Sequence, residues 1–169
     1  YKSMTIRSWS TTTKLLEKEK ITAAQRQAAL EIASSQDLAA AGQADLVIEA
    51  IAENEALKLA IFADLERLAR PEAILASNTS SISITKLAAA TRRPQQVIGM
   101  HFMNPVPLMR LVEVVRGLET AQQTVDAVLQ VCQRMEKEPV EAKDSPGFIS
   151  NRILCPMINE AIFAVHEGV

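Results

Sequence analysis

LVIEAIAENEALKLAIFADLERLARPEAILAS, residues 46–77, decides the fold class. Leu46 to Ile51 is a short apolar run of the kind that forms a strand covered on both faces. Asn54 is a helix cap, and the residues after it place Leu57, Ile61, Leu65 and Leu68 on one helical face. AILAS (73–77) is a second apolar strand. Strand, amphipathic helix and strand in succession are the building unit of a parallel sheet.

The alternation continues on both sides of this stretch. Upstream, TTTKLLEKEK (11–20) closes one helix and ITAAQRQAALEIA (21–33) opens another, with Thr22 and Gln25 at the spacing of a capping box. The two read as a helical hairpin over residues 5–35. Downstream, SNTSSIS leads into a helix through Ala90, and QQVIGMHF and MRLVEVVRG are two further strands. TAQQTVDAVLQVCQRME is amphipathic through Val125, Val128, Leu129, Cys132 and Met135, with a second T-x-x-Q box at Thr120 and Gln123. PVEAKD is a short strand or an extended connector. The Pro-Gly turn of DSPGF marks a boundary. The helix from about Ile149 is kinked or locally opened at Pro156, which has no amide to donate. The expected fold is α/β, a mainly parallel sheet with helices on both faces over residues 1–143, then the first helix of a helical domain over 144–169.

Composition narrows the function classes. The 169 residues make one domain, or one domain and the beginning of another. With 48% apolar residues and a net charge of −2, the chain reads as a soluble globular protein without a basic footprint for nucleic acid. Cys132 and Cys155 form no C-x-x-C pair and no His/Cys cluster. No metal site is expected, and both thiols read as small buried hydrophobes in a reducing compartment. No apolar run approaches the length that spans a bilayer. The start, YKSMTIRSW, lacks the apolar core of a secretory signal. These features give the expectation of a cytoplasmic protein with no membrane partner. The chain begins at Tyr1 rather than Met and stops at HEGV directly after a helical pattern, so both ends read as cut.

In open parallel sheets, ligands bind off the carboxyl ends of the strands. Three polar constellations fall at such ends. The first is SNTSS (77–81), whose hydroxyls and amides sit at the mouth of the sheet ahead of a helix. Ordinary capping explains one or two of these residues, and five in a row exceed what capping requires. The second is His101 with Glu113, in GMHFMNPVPLMRLVEVV (99–115). NPVP lets the chain turn, so neighbouring strands can bring the imidazole and the carboxylate together. A carboxylate on one ring nitrogen fixes the tautomer and raises the basicity of the other, which suits a general base. The alternative places Glu113 on an edge facing solvent, since L-V-E-V-V also satisfies alternation. Periodicity admits both. The third is Asn151, which heads a helical stripe with Cys155, Ile158 and Ile162. A polar amide there faces a partner or a cleft, or bridges two domains. The five glycines, at 42, 99, 117, 147 and 168, leave no G-x-G-x-x-G fingerprint.

Four ordered motifs, LVIEAIAEN, ILASNTSSISITKLA, GMHFMNPVPLMRLVEVV and KDSPGFISNRIL, closely resemble the NAD-dependent L-3-hydroxyacyl-CoA dehydrogenases. Within that family they look most like the bacterial 3-hydroxybutyryl-CoA dehydrogenases. The similarity runs from about residue 11 to the end. The resemblance implies a Rossmann-like domain that binds NAD, followed by a helical domain that completes the active site and forms a homodimer. It implies that His101 and Glu113 are the catalytic pair, that Ser80 hydrogen-bonds the reacting 3-oxygen, and that Asn151 contacts the acyl-CoA substrate. It further implies that Glu53, Lys58, Ser80 and Asn104 line the NAD site and that Thr11 and Lys18 meet coenzyme A. For Lys18 the alternative is a solvated charge within EKEK.

The family's first strand, its glycine-rich phosphate loop and its ribose-binding acid would precede Tyr1, and most of its helical domain would follow Val169. The chain therefore reads as a fragment that binds NAD poorly alone and leaves one apolar sheet edge unpaired. The alternative to a dehydrogenase is an inert fragment or structural protein on the same scaffold, and a narrower enzymatic alternative is the dehydrogenase part of a multifunctional β-oxidation enzyme.

Overall fold

The computed structural model describes residues 16–18 and 22–169. The chain divides into two compact units, residues 1–38 and 39–169. In the first unit, helix α1 covers Ala23–Leu30. Its start is the expected capping box: the Thr22 hydroxyl accepts from the Gln25 amide at 3.1 Å, and the Gln25 side chain accepts from the Thr22 amide at 2.8 Å. Much of the expected hairpin falls on residues 1–15 and 19–21, outside the described residues.

The second unit runs β1 (Leu46–Glu49), α2 (Glu55–Leu68), β2 (Ile74–Ser77), α3 (Ile84–Ala88), β3 (Val97–Phe102), β4 (Leu111–Arg116), α4 (Gln122–Arg134), β5 (Glu138–Lys143) and α5 (Ser150–His166). The strands form one sheet in the order β1-β2-β3-β4-β5. Every pairing is parallel except β3 with β4. The α/β fold with a mainly parallel sheet is present as expected, and PVEAKD is its fifth strand rather than a connector.

Successive strand residues face opposite sides, so each strand serves two layers. Ile98 and Met100 of β3 and Val112 and Val114 of β4 pack against Val125, Val128 and Cys132 of α4. The opposite face carries Val97, Gly99 and His101, and α3 packs on it. A Cβ on Gly99 would lie 2.7 Å from Val115 Cβ and 3.0 Å from Ile84 Cδ1, so only glycine lets α3 settle onto the sheet. Phe62, Leu65, Ile84 and Leu87 are fully buried on this side. Among the described residues β1 is an edge strand, with Ile48 exposed there.

Three local expectations are corrected. The buried face of α2 is Lys58, Phe62 and Leu65, whereas Leu57 and Leu68 are exposed. The helix is rotated from the pure-leucine stripe because the Lys58 ammonium finds a buried partner. Thr120 does not cap α4, which starts after Ala121 without a side-chain cap. Its hydroxyl donates to the Val97 carbonyl at 2.7 Å and accepts from the Gly117 amide at 3.0 Å, which ties the β4–α4 turn to β3. Cys132 is buried as expected, but Cys155 is exposed.

Helix α5 continues through Pro156, and none of its residues is buried. Ile153, Ile162 and Val165 stand in solvent. Among the described residues, no helix is long and apolar enough to cross a membrane.

Candidate active site

The antiparallel register of β3 and β4 sets His101 directly opposite Glu113. His101 Nδ1 lies 2.7 Å from Glu113 Oε2. Glu113 is 1% exposed, which removes the solvent-facing alternative. Its other oxygen, Oε1, accepts from the Ile149 amide at 3.0 Å, the Ser150 amide at 2.7 Å and the Ser150 hydroxyl at 3.0 Å. Burial alone would raise this carboxyl, but the bonds from His101, Ser150 and Ile149 outweigh it and hold Glu113 below the usual carboxylate range.

An ionised carboxylate only accepts, so in the neutral imidazole the proton sits on Nδ1 and Nε2 carries the lone pair. Nε2 has no hydrogen bond among the described residues. The Phe148 ring stands edge-on to the imidazole with centroids 5.7 Å apart, which limits its tilt.

The five residues of SNTSS divide by role. Ser77 donates to Glu49 Oε2 at 2.7 Å. Asn78 Oδ1 accepts from the Phe102 amide at 2.8 Å and so joins the ends of β2 and β3. Thr79 and Ser81 donate their hydroxyls to Glu53 Oε1 at 2.6 and 2.9 Å, and the amides of Ser80 and Ser81 reach the same oxygen at 3.0 and 3.1 Å. Glu53 is partly desolvated, which raises its carboxyl, yet Thr79, Ser81, Ser80 and Lys58 together bring it below its ordinary value. Ser80 differs from the other four. Its backbone is pinned, and its half-buried hydroxyl has no partner among the described residues.

Asn151 Nδ2 donates to the Ser80 carbonyl at 3.4 Å, so the first turn of α5 meets the SNTSS turn. Ser80, Gly147, Asn151 and Cys155 line a cleft of about 420 Å³ between them. A somewhat larger hollow, about 460 Å³, lies at Pro107 and Arg110. There the Lys137 ammonium already donates to the Val106 and Met109 carbonyls.

Under the turn sits a buried polar chain. Lys58 Nζ is 2.6 Å from Glu49 Oε1 and 3.8 Å from Glu53 Oε2, with Lys58 and Glu49 side chains both 1% exposed. The Ile51 amide also donates to Glu49 Oε1, at 2.6 Å. Lys58 therefore braces the β1–α2 turn from beneath, and Glu53 carries that order to the Ser80 loop. Asp144 braces the far side of the loop, accepting from the Ser83 hydroxyl at 2.7 Å and the Ile84 and Thr85 amides at 3.1 and 2.8 Å. Burial raises the Asp144 carboxyl, and the Thr85, Ser83 and Ile84 donors more than reverse this.

The structure thus brings His101 to Glu113, Ser80 to Asn151, and Lys58 to Glu53. Asn104 is exposed in the β3–β4 turn, at a cis peptide bond to Pro105. Lys18 is exposed in the first unit, and Thr11 lies outside the described residues. Glu49, Asp144, Phe148 and Ser150 are site residues that the sequence reading passed over. Glu49 had a signal, since it interrupts LVIEAI as Glu113 interrupts LVEVV.

Residues 2–145 match the family model described as "3-hydroxyacyl-CoA dehydrogenase, NAD binding domain". The chain belongs to the 3-hydroxyacyl-CoA dehydrogenase family. It is 59% identical over 138 residues to the probable 3-hydroxybutyryl-CoA dehydrogenase of Bacillus subtilis, covering 82% of this chain and 48% of that protein. Among solved structures, the (S)-3-hydroxybutyryl-CoA dehydrogenase of Ralstonia eutropha is 49% identical with a TM-score of 0.91, over 94% of this chain and 56% of its own. The 3-hydroxybutyryl-CoA dehydrogenase of Escherichia coli K12 is 39% identical with a TM-score of 0.94, over 98% of this chain and 35% of that one. The chain spans about half the length of the curated dehydrogenases it matches.

NAD is the cofactor of this domain family, and the residues here fit it. At the carboxyl ends of β2 and β3, the Ser80 hydroxyl and His101 Nε2 are polar groups without partners among the described residues. They face the open end of a parallel sheet, where nucleotides bind.

Proposed function

We propose that the full-length protein, in an NAD-dependent reaction, oxidises (3S)-hydroxyacyl-CoA thioesters, 3-hydroxybutyryl-CoA among them, reversibly to 3-ketoacyl-CoA. One observation carries this reading: the Nδ1 of His101 is held on a buried carboxylate while its Nε2, at the ligand end of the sheet, has no partner among the described residues. That is a base aimed at a proton it has not yet taken.

His101 Nε2 accepts the proton of the C3 hydroxyl as the carbonyl forms. Glu113 stabilises the resulting imidazolium through its Nδ1 bond and does not itself take the proton. The Ser80 hydroxyl donates to the C3 oxygen as negative charge develops on it. Bound NAD supplies the acceptor for the hydride that leaves C3.

Glu53 and Asn104 line the nicotinamide side together with Ser80. Lys58, buried below them, orders Glu53 rather than reaching the open cleft. Asn151 approaches the acyl chain from the first turn of α5, at the start of a second domain over residues 144–169. Thr11 and Lys18 face coenzyme A, a pairing that the charge of Lys18 favours. The whole enzyme works as a cytoplasmic homodimer, and the exposed apolar residues of α5 favour further protein covering them.

The test is NADH formation by the purified full-length protein given NAD and either stereoisomer of 3-hydroxybutyryl-CoA. Turnover of the (3S) isomer alone is expected. Absence of NADH formation with both isomers, from folded protein that binds NADH, would remove the proposal.

A further inference from the structure

Glu113 accepts four donors, and three of them come from Ile149 and Ser150, where α5 begins. The one side-chain donor among those three is the Ser150 hydroxyl, 3.0 Å from Oε1. The same helix presents Asn151 to the Ser80 carbonyl one residue later. Ser150 is the first residue of α5, and the helix has no side-chain cap of its own. Glu113 performs that duty from β4, so a strand carboxylate is both the anchor of the helix and the orienting group of His101.

We propose that Ser150 is a positioning residue for the base. With the two amides it saturates Oε1, so that Oε2 alone remains for His101 Nδ1 and the carboxylate plane cannot rotate between its partners. The proposal rests on the reading of His101 as the base only for its catalytic consequence. The hydrogen-bond arrangement stands apart from it.

Charge sharing gives the direction. Each donor on a carboxylate draws electron density from it, and a charge-assisted bond is about twice as strong as a neutral one. Removing the Ser150 hydroxyl leaves Oε1 with two amides, makes the carboxylate a stronger acceptor for Nδ1–H, and loosens its orientation. His101 meets no other ionisable partner among the described residues. Phe148 faces it from the β5–α5 turn, and Asn78 of the SNTSS turn bonds the next amide, that of Phe102. Ser150 and Asn151 of α5 are uncharged. Glu53 and Asp144, the carboxylates of the adjoining loops, are held by their own hydroxyl and amide donors.

The experiment compares Ser150→Ala and Ser150→Thr with wild type in the full-length protein. The first readout is the His101 Nδ1–H proton resonance. His101 is one of two histidines in this stretch of the protein, and it is 6% exposed, which slows exchange of the proton. The second readout is kcat against the KM for NAD. Ser150→Ala is expected to move the resonance downfield, through the stronger Nδ1–H bond, and to lower kcat about three- to tenfold, through the loosened orientation of the carboxylate and with it the imidazole. The KM for NAD stays within about twofold, because Ser150 touches no group of that site. Ser150→Thr keeps the hydroxyl and restores both. An unmoved resonance in folded Ser150→Ala overturns the assignment, as does a shift that Ser150→Thr fails to reverse. If the resonance moves and returns as expected in a protein without dehydrogenase activity, the proposed function fails while the role of Ser150 holds.

Discussion

Replacing Glu113 with glutamine keeps the volume of the side chain and removes one acceptor. Four donors converge on this carboxylate: His101 Nδ1–H on Oε2, and the Ile149 amide, Ser150 amide and Ser150 hydroxyl on Oε1. A primary amide has one oxygen and one NH₂ group. With its oxygen toward α5, its NH₂ faces Nδ1, and the imidazole must move its proton to Nε2. Nε2 then cannot take the hydroxyl proton. With its oxygen toward His101, its NH₂ meets three donors and the start of α5 is left unsatisfied. The first arrangement loses one charge-assisted bond and the second loses three, so the first prevails. The expected result is a drop in kcat of about 10²- to about 10⁴-fold, the range for losing a general base or its tautomer. Stability should fall by about 1–3 kcal/mol, as for a hydrogen bond to a charged group. The assay is kcat at saturating NAD and (3S)-3-hydroxybutyryl-CoA, with NADH affinity and thermal unfolding as controls. A Glu113→Gln enzyme within about threefold of wild-type kcat would refute the tautomer argument.

Glu49→Gln removes the nearest carboxylate from the buried Lys58 ammonium, leaving Glu53 at 3.8 Å, and should cost about 3–5 kcal/mol, with the joint Glu49→Leu/Lys58→Met change recovering only part of it because the Ser77 hydroxyl and the Ile51 amide also lose their acceptor. Chemical denaturation of both variants checks this, and equal loss in the two would show that the pair is not coupled. Gly99→Ala places a Cβ 2.7 Å from the Val115 Cβ, which only a backbone shift can move, and 3.0 Å from Ile84 Cδ1. A loss of about 1–3 kcal/mol is expected in the same measurement. Glu113, Glu53 and Asp144 all titrate lower in the folded state than unfolded. Each therefore adds stability above the ordinary carboxylate range that disappears as pH falls through its folded value. The melting temperature should hold from neutral pH to about pH 5 and fall below about pH 4, with a shallower acid limb in Asp144→Asn. Thiol labelling of native protein should modify exposed Cys155 and spare Cys132, whose thiol burial also pushes up. Labelling of both at equal rates would contradict the packing of α4.

The elements that sequence made visible are those whose cause is local. The strands at Leu46, Ile74, Val97 and Leu111 announce themselves as apolar runs, and Thr22 with Gln25 forms its capping box within four residues. Asn54 likewise caps α2 through the Leu57 amide. The meeting of His101 with Glu113 was half legible: NPVP allowed a hairpin, but only the pairing register excludes a solvent-facing carboxylate. Where expectation failed, a distant group had intervened. The Thr120 hydroxyl is engaged by Val97, 23 positions away, and is not available to cap α4. Glu49 turns the buried face of α2 toward Lys58, across nine positions. Asp144 reaches Ser83 over 61 positions. Spacing in the chain carries no trace of such contacts, because each depends on how the sheet is already folded.

The most direct test of the central claim is single-turnover hydride transfer in the full-length His101→Gln protein. Wild type and variant would be loaded with saturating NAD and (3S)-3-hydroxybutyryl-CoA, and NADH appearance followed before product release. If Nε2 takes the hydroxyl proton, the variant binds NADH with an affinity within about threefold of wild type and transfers hydride at least about 10²-fold more slowly. Hydride transfer within about threefold of wild type would mean that the proton leaves by another route, and that the buried pair of His101 and Glu113 is architecture alone.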